Sequence, residues 1–258
     1  MTITATVIFH REGAFAIPAL GSMHDAVKAA RDAGLEVEAR AILDRPDDTT
    51  RTIVSALGQW LDERAEVDFG DLGSARNEGV RRAGGEFLAF LDGDDLWGSR
   101  WLVEGHRAAK SKGEEQAIWH PELLYYFDER DFDRQSSATF PRAATQSYYF
   151  RQVASDRDGF DARILGMQNL WSANVFCPRS VHSTFPYRSI DRGTGFGVED
   201  WTWNIETLAA GVQHLVVADA VHMIRVKGKS LGTNNVADGL LPYISDNVCR
   251  IFGGADKV

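Results

Sequence analysis

The chain has 258 residues, 44% hydrophobic and 25% charged, a globular composition that excludes disordered, collagen-like and low-complexity classes. Its 37 acidic and 28 basic residues leave a net charge of −9, against the basic balance expected of a nucleic-acid-binding domain. An anionic small-molecule substrate then needs a local counter-charge, from a metal ion or from placed Arg and Lys.

Residues 4–10 read as a buried strand rich in β-branched residues, and 22–33 as a helix with a Ser22/Asp25 capping pair and Gly34 after its last turn. Residues 36–43 alternate as a second strand; 48–61 read as a helix opened by Asp48, Thr49 or Thr50. A short strand at 66–69 precedes a helix at 74–83, with Ser74 as cap and Gly84-Gly85 as stop. FLAFL, residues 87–91, is a fully apolar strand, and 101–111 a fourth helix. This order predicts an α/β fold with a mostly parallel sheet flanked by helices, whose ligands gather at the carboxyl ends of the strands. In the second half, 117–127, 168–177 and 215–220 read as strands, 128–163 as a long functional loop and 240–252 as a packed helix. No repeat or Pro/Gly linker divides the chain, so residues 1–258 form a single domain with an antiparallel extension.

Two cysteines, Cys177 and Cys249, form no C-x-x-C pair and read as buried thiols of a reducing compartment. No apolar run reaches the ~18 residues of a membrane span, and the first residues lack the basic region of a signal peptide. The expected location is cytoplasmic, with peripheral attachment at the inner face of the membrane as a variant.

The strongest chemical motif is FLDGDDLW, residues 90–97. Strand alternation puts Asp92 and Asp94 on one side of the chain. Two carboxylates at about 4 Å repel by roughly 4 kcal/mol at an effective dielectric of 20. Mn²⁺ or Mg²⁺ answers that repulsion and keeps coordination positions for phosphate oxygens. Gly93 allows a ligand close to the backbone. An EF-hand loop begun at Asp92 would need Glu at its twelfth position, which is Val103. A phosphatase D-x-D-G-T signature is also missing. In GDLGSARNEGVRRAGG, residues 70–85, Arg76 and Asn77 fall in a first helical turn, where an anion is favoured.

Together the two segments resemble the family 2 glycosyltransferases of the GT-A fold, whose pattern runs G-x-x-x-A-R-N-x-G and then F-L-D-x-D-D. Here it is carried by Ala75-Arg76-Asn77, Gly79, Ala83, Gly85 and Phe90 through Asp95. The resemblance implies inverting transfer from a nucleoside-diphosphate sugar, a UDP-sugar favoured, to a hydroxyl of a glycan or lipid-linked acceptor in polysaccharide assembly. It implies a GT-A type, Rossmann-like sheet, with residues 1–111 as the nucleotide-sugar-binding half and 112–258 as the acceptor-binding half. Asp92 and Asp94, the D-x-D acids, would meet metal and donor beside Gly93, with Arg76 near the nucleotide.

The family's acidic end of the second strand, V-D-D-G-S-x-D-x-T, is matched by ILDRPDDTT through Asp44, Asp48 and Thr50; Leu43 replaces the first Asp and Arg45-Pro46 replaces Gly-Ser. Asp44 would accept hydrogen bonds from a base edge. At the end of the first strand, His10-Arg11-Glu12 departs from the family's P-x-Y-N.

FGVEDWTW, residues 196–203, puts Glu199 and Asp200 in the first turn of a helix ending at Gly211, where acids suit the dipole. The resemblance adds a general base, Asp200, with Glu199 as its neighbour. Trp171 and Trp201 are candidate acceptor-sugar platforms, although core packing serves such rings equally. HMIRVKGKSLG, residues 222–232, offers Arg225, Lys227 and Lys229 to a diphosphate, and His222 as a further metal contact. A sugar-phosphate nucleotidyltransferase and a non-catalytic sugar-nucleotide- or glycan-binding module are the alternative functions.

Overall fold

The computed structural model describes residues 1–112, 116–128, 147–190, 193–227, 238–243, 245–246 and 251. Alternating elements fill the first half: β1 (Thr2–Phe9), α1 (Ala16–Asp32), β2 (Glu36–Asp44), α2 (Asp48–Leu57), β3 (Glu63–Val67), α3 (Leu72–Arg82), β4 (Phe87–Asp92), β5 (Leu96–Trp97) and α4 (Trp101–Ser111). The second half adds β6 (Ala117–Asp128), β7 (Tyr148–Arg151), β8 (Phe176–Pro178), α5 (Arg179–Thr184), β9 (Phe196–Gly197), α6 (Glu199–Ala209), β10 (Gln213–Val226) and β11 (Leu241–Pro242).

One sheet runs in the order β3-β2-β1-β4-β8-β6-β10-β5, with β7 on β6. β3, β2, β1 and β4 are mutually parallel. β8 is antiparallel to both β4 and β6, and β10 runs parallel to β6. The parallel half therefore ends at β4, where strand direction changes. The carboxyl end of such a strand is where α/β sheets bind ligands.

β1 and β4 are buried on both faces, which explains the unbroken apolar run of β4 before Asp92 and the β-branched composition of β1, where Thr4 and Thr6 are buried too. On one face Ala5, Val7, Phe9 and Leu91 pack with Leu20 and Met23 of α1 and Trp101 of α4. On the other, Ile8, Ile42, Leu88 and Phe90 pack with Ala75 of α3. A Cβ on Gly79 would stand 2.8 Å from the Phe90 ring, so this glycine lets α3 lie close on β4 and bring Arg76 to the strand end.

Several boundaries differ from the sequence expectations. α1 begins at Ala16, ahead of the expected residue 22, because Pro18 sits in the first turn, where no N–H is needed. Ser22 Oγ donates to the Ala19 carbonyl inside that helix, so the Ser22/Asp25 pair is no cap. α2 stops at Leu57 before Gly58 and is capped by Asp47, which accepts from Thr50 N at 2.7 Å. α3 is capped by Asp71, not Ser74. The third strand spans Glu63–Val67, and the expected strand at 168–177 is extended only from Phe176. The tail opens with Leu241–Pro242 paired to β9, in place of a helix from 240. Within the expected long loop, residues 129–146 lie outside the described residues, and 148–151 form β7. Among the described residues no helix is long and apolar enough to cross a membrane. Cys177 is buried, which pushes its thiol pKa up; Cys249 lies outside the described residues.

Candidate active site

Asp92 ends β4, and the Asp95 N–H closes the turn by donating to the Asp92 carbonyl at 3.0 Å. Arg76 reaches this strand end from α3. It is 1% exposed; one guanidinium nitrogen donates to Asp92 Oδ1 at 2.7 Å and the other to Glu199 Oε1 at 2.7 Å. Burial alone would lower its pKa, but Asp92 and Glu199 outweigh that and hold it charged. The adjacent Asn77 donates to the Tyr187 carbonyl at 2.7 Å and accepts from Tyr187 N at 2.9 Å. The residues of the A-R-N-x-G segment thus do different things. Ala75 packs, Arg76 joins two acids, Asn77 holds the chain leading to α6, and Gly79 admits the strand.

Gly93 serves packing first. A Cβ there would stand 2.7 Å from the Ile8 carbonyl oxygen, so β1 itself forbids a side chain. Asp94 pairs with Lys227, and Arg225 Nε donates to the Asp94 carbonyl at 2.9 Å. The Arg225 guanidinium lies 4.4 Å from the Phe15 ring centroid and 4.7 Å from that of Phe127. The basic end of β10 therefore already rests on the acidic turn. Lys229 lies outside the described residues.

Asp95 is buried, accepts from Arg225 N at 2.9 Å and faces His222 Nε2 at 3.4 Å. Burial pushes its pKa up to about 6, with His222 acting in the opposite sense. His222 thus lies against Asp95, the residue that follows Asp94. Glu12, unassigned from sequence, joins the acidic group. Burial, with Asp94 acting in the same sense and the His10 N–H against it, pushes its carboxyl up to about 7. Its only sequence signal is its position just after β1.

Asp200 sits in the first turn of α6. It accepts from Trp201 N at 2.7 Å and from Asn169 Nδ2 at 3.1 Å. Burial, then the charge of Glu199, pushes its pKa up to about 7, while Arg76 pulls it down. Val198, just before the acid pair, holds a left-handed backbone with φ 58°. Asn169, also missed from sequence, is fixed in turn by Asn204 Nδ2 at 2.9 Å.

Three expected contact residues are engaged elsewhere. Asp44 accepts from the backbone N–H groups of Phe69, Gly70 and Asp71 at 2.8, 2.9 and 3.0 Å. Its carboxylate ties down the β3–α3 loop, leaving little acceptor capacity for a base edge. Trp171 is 1% exposed, stacks on His214 with centroids 4.1 Å apart and donates to the Val153 carbonyl at 2.7 Å. It is a core residue, closed to a sugar. Trp201 is partly buried against the same cluster and donates to the Leu165 carbonyl at 2.7 Å.

The family pattern can be tested over the whole chain. A sequence profile described as Glycosyl transferase family 2 matches residues 7–167, which include the end of β1, the A-R-N-x-G helix and the D-G-D-D turn. The chain belongs to glycosyl transferase family 2. Solved structures agree with its GT-A type fold. S. aureus TarS 1-349 in complex with UDP-GlcNAc matches this glycosyltransferase with a TM-score of 0.63 at 15% identity, over 100% of this chain and 68% of that one. A TarS structure of greater length is covered over 42%. The mannosyltransferase PcManGT from Pyrobaculum calidifontis, in complex with GDP-Man and Mn²⁺, matches with a TM-score of 0.56 at 15% identity, over 90% of this chain and 59% of that one. At these identities the likeness is one of fold. No curated protein sequence matches the glycosyltransferase.

Among the described residues, no three His, Cys, Asp or Glu side chains of this glycosyltransferase come together as a metal cage. Asp92 and Asp94 instead each carry one positive side chain, Arg76 and Lys227. Hard carboxylate oxygens that already hold a cationic side chain fit Mg²⁺ or Mn²⁺ bound through one or two acids and completed by substrate phosphates.

Proposed function

We propose that this glycosyltransferase moves a sugar from a nucleoside-diphosphate sugar, a UDP-sugar favoured, to a hydroxyl of a glycan or lipid-linked acceptor with inversion. The observation that carries the reading is the Arg76 bridge. It fixes Asp92, on the donor side, against Glu199, which adjoins Asp200. Residues 1–111 bind the donor and 112–258 shape the acceptor side.

Asp94, with Asp92, is the pair that would hold the divalent ion, whose chemistry is to neutralise the departing diphosphate. Arg225 and Lys227 are within reach of the same turn and give up their contacts with Asp94 to meet the phosphates. Asp200 is held by Asn169 and its own backbone turn. It takes the acceptor hydroxyl proton as the acceptor oxygen bonds to the anomeric carbon. The bond from that carbon to the phosphate oxygen breaks on the opposite face, and the nucleoside diphosphate leaves. Positioning and charge stabilisation supply most of the rate for such an oxocarbenium-like transition state.

The test is release of nucleoside diphosphate from a UDP- and GDP-sugar panel, with Mn²⁺ and with chelator. Metal-dependent release supports transfer. Release of inorganic pyrophosphate from nucleoside triphosphate and sugar phosphate would replace it with nucleotidyl transfer. Donor binding with no release under any condition would make the protein a binding module.

A further inference from the structure

Tyr126 of β6 and Tyr148 of β7 face each other across an antiparallel ladder. Their rings stack with centroids 4.7 Å apart and planes 10° apart. Tyr126 is partly buried, whereas Tyr148 is 55% exposed. One face of the Tyr148 ring is therefore fixed on a partner and the other is open. The strand that carries it is pinned at both ends. Ser147 Oγ accepts from Asp128 N at 3.1 Å. At the other end buried Gln152 donates to the Pro121 carbonyl at 2.7 Å and accepts from Ser172 N at 3.1 Å. A ring held this way loses little freedom when a ligand docks on it.

The location gives the pair its meaning. Tyr126 pairs with Ile224 of β10, and the next residue of that strand, Arg225, donates its N–H to Asp95 of the acidic turn at 2.9 Å. The stack therefore stands at the end of the sheet that carries the acidic turn. Hydrophobic burial does not account for Tyr148, since all four residues of β7 are exposed. The ring offers a flat apolar surface with a negative π face. That surface matches the C–H face of a cyclic sugar, whose hydroxyls point outward to acids. It suits an anionic lipid surface poorly, because the chain carries −9 and the one cation of β7, Arg151, is already paired with Glu122.

We propose that Tyr148, backed by Tyr126, is the platform of an acceptor subsite that takes a pyranose ring by its apolar face. This rests on the transferase reading and narrows its acceptor class to cyclic sugars. The step itself remains the transfer already described; Tyr148 positions the acceptor and takes no proton.

The experiment compares wild type, Tyr148→Ala and Tyr148→Phe as full chains, with soluble pyranose di- to tetrasaccharides as probes and sorbitol as the open-chain control. Saccharide contact is read without turnover by saturation-transfer NMR in the presence of UDP and Mn²⁺, and KM for the same saccharides is read where transfer occurs. Tyr148→Ala is expected to raise the saccharide Kd or KM about three- to tenfold, equivalent to about 0.7–1.4 kcal/mol. Tyr148→Phe keeps the ring and should hold the saccharide affinity near wild type. The proposal is overturned by unchanged saccharide affinity in Tyr148→Ala, by wild-type binding of no pyranose probe, or by equal loss for sorbitol. The two readings fail separately. Absent nucleoside-diphosphate release with saccharide contact at Tyr148 removes the transferase and leaves the subsite. Normal release with unchanged affinity in Tyr148→Ala removes the subsite and leaves the transferase.

Discussion

Replacing Arg76 by Met tests the centre of the site. The substitution removes two charge-assisted hydrogen bonds of 2.7 Å and keeps the apolar stem. Glu199, itself buried, is left with an uncompensated charge, while Asp92 is partly open to water and is screened. Breaking one partner of a buried pair costs about 3–5 kcal/mol. At about 2–4 °C per kcal/mol for a chain of this size, Tm should fall by roughly 6–20 °C. Urea unfolding at pH 7 measures the loss directly. The double variant Arg76→Met/Glu199→Gln removes the stranded charge and should recover a large part of it. Arg76→Lys keeps the charge but not the planar fork that spans two acids, so it should lie between. A loss below about 1 kcal/mol in Arg76→Met, or a double variant costing the sum of the two singles, would refute the bridge as described.

Asp94→Asn should abolish the Mn²⁺-dependent thermal stabilisation by UDP, which in wild type reaches about 2.7 kcal/mol at a hundred times Kd; a retained shift would remove Asp94 from the metal site. Asp200→Asn should keep that stabilisation and lose transfer by at least about a hundredfold, and normal turnover would remove the base assignment. Because the Asp200 pKa is pushed up to about 7 by burial and Glu199, against Arg76, wild-type transfer should rise with pH through about 7. Stability follows the opposite course. A folded pKa above the unfolded 3.8 means that the Asp200 contribution is full below about 4 and is lost as pH rises through about 7. Urea unfolding between pH 5 and 8 should therefore show Asp200→Asn gaining on wild type, and a constant difference would contradict it. Lys227→Gln frees Asp94 of its ammonium, so calorimetry should find tighter Mn²⁺ binding without nucleotide and weaker UDP binding; weakening of both would refute the exchange of partners.

What could be read from the chain was what neighbouring residues decide. The apolar run into Asp92 and the turn after it are local, as are the 3.6-residue pattern and bounds of α4, Trp101–Ser111. The start of α1 is hidden because Pro18 and Gly21 look like breakers, whereas packing on β1 carries the helix through them. The roles of acids were harder. Asp44, Asp47 and Asp71 all precede loops or helices, and the same letter serves as ligand, cap or loop tie. Only the distant N–H groups that reach each carboxylate separate these uses. The Arg76–Glu199 bridge spans 123 positions, and no spacing rule announces it. Trp171 shows the same limit: a ring fit for a sugar is also fit for a core, and its stack on His214 decides. Conversely, Arg45 holds φ 52° at the place where the family pattern has Gly, the residue that adopts such a backbone most easily.

Val198 makes a similar bargain at a more consequential place. A β-branched residue in a left-handed conformation costs on the order of 1–3 kcal/mol, and here it immediately precedes the carboxylates of α6. Glycine at 198 would relax that backbone and loosen the entry to the helix. Selection of variants for heat resistance alone should therefore drift toward glycine at this position, and the survivors should be hardier proteins and slower catalysts.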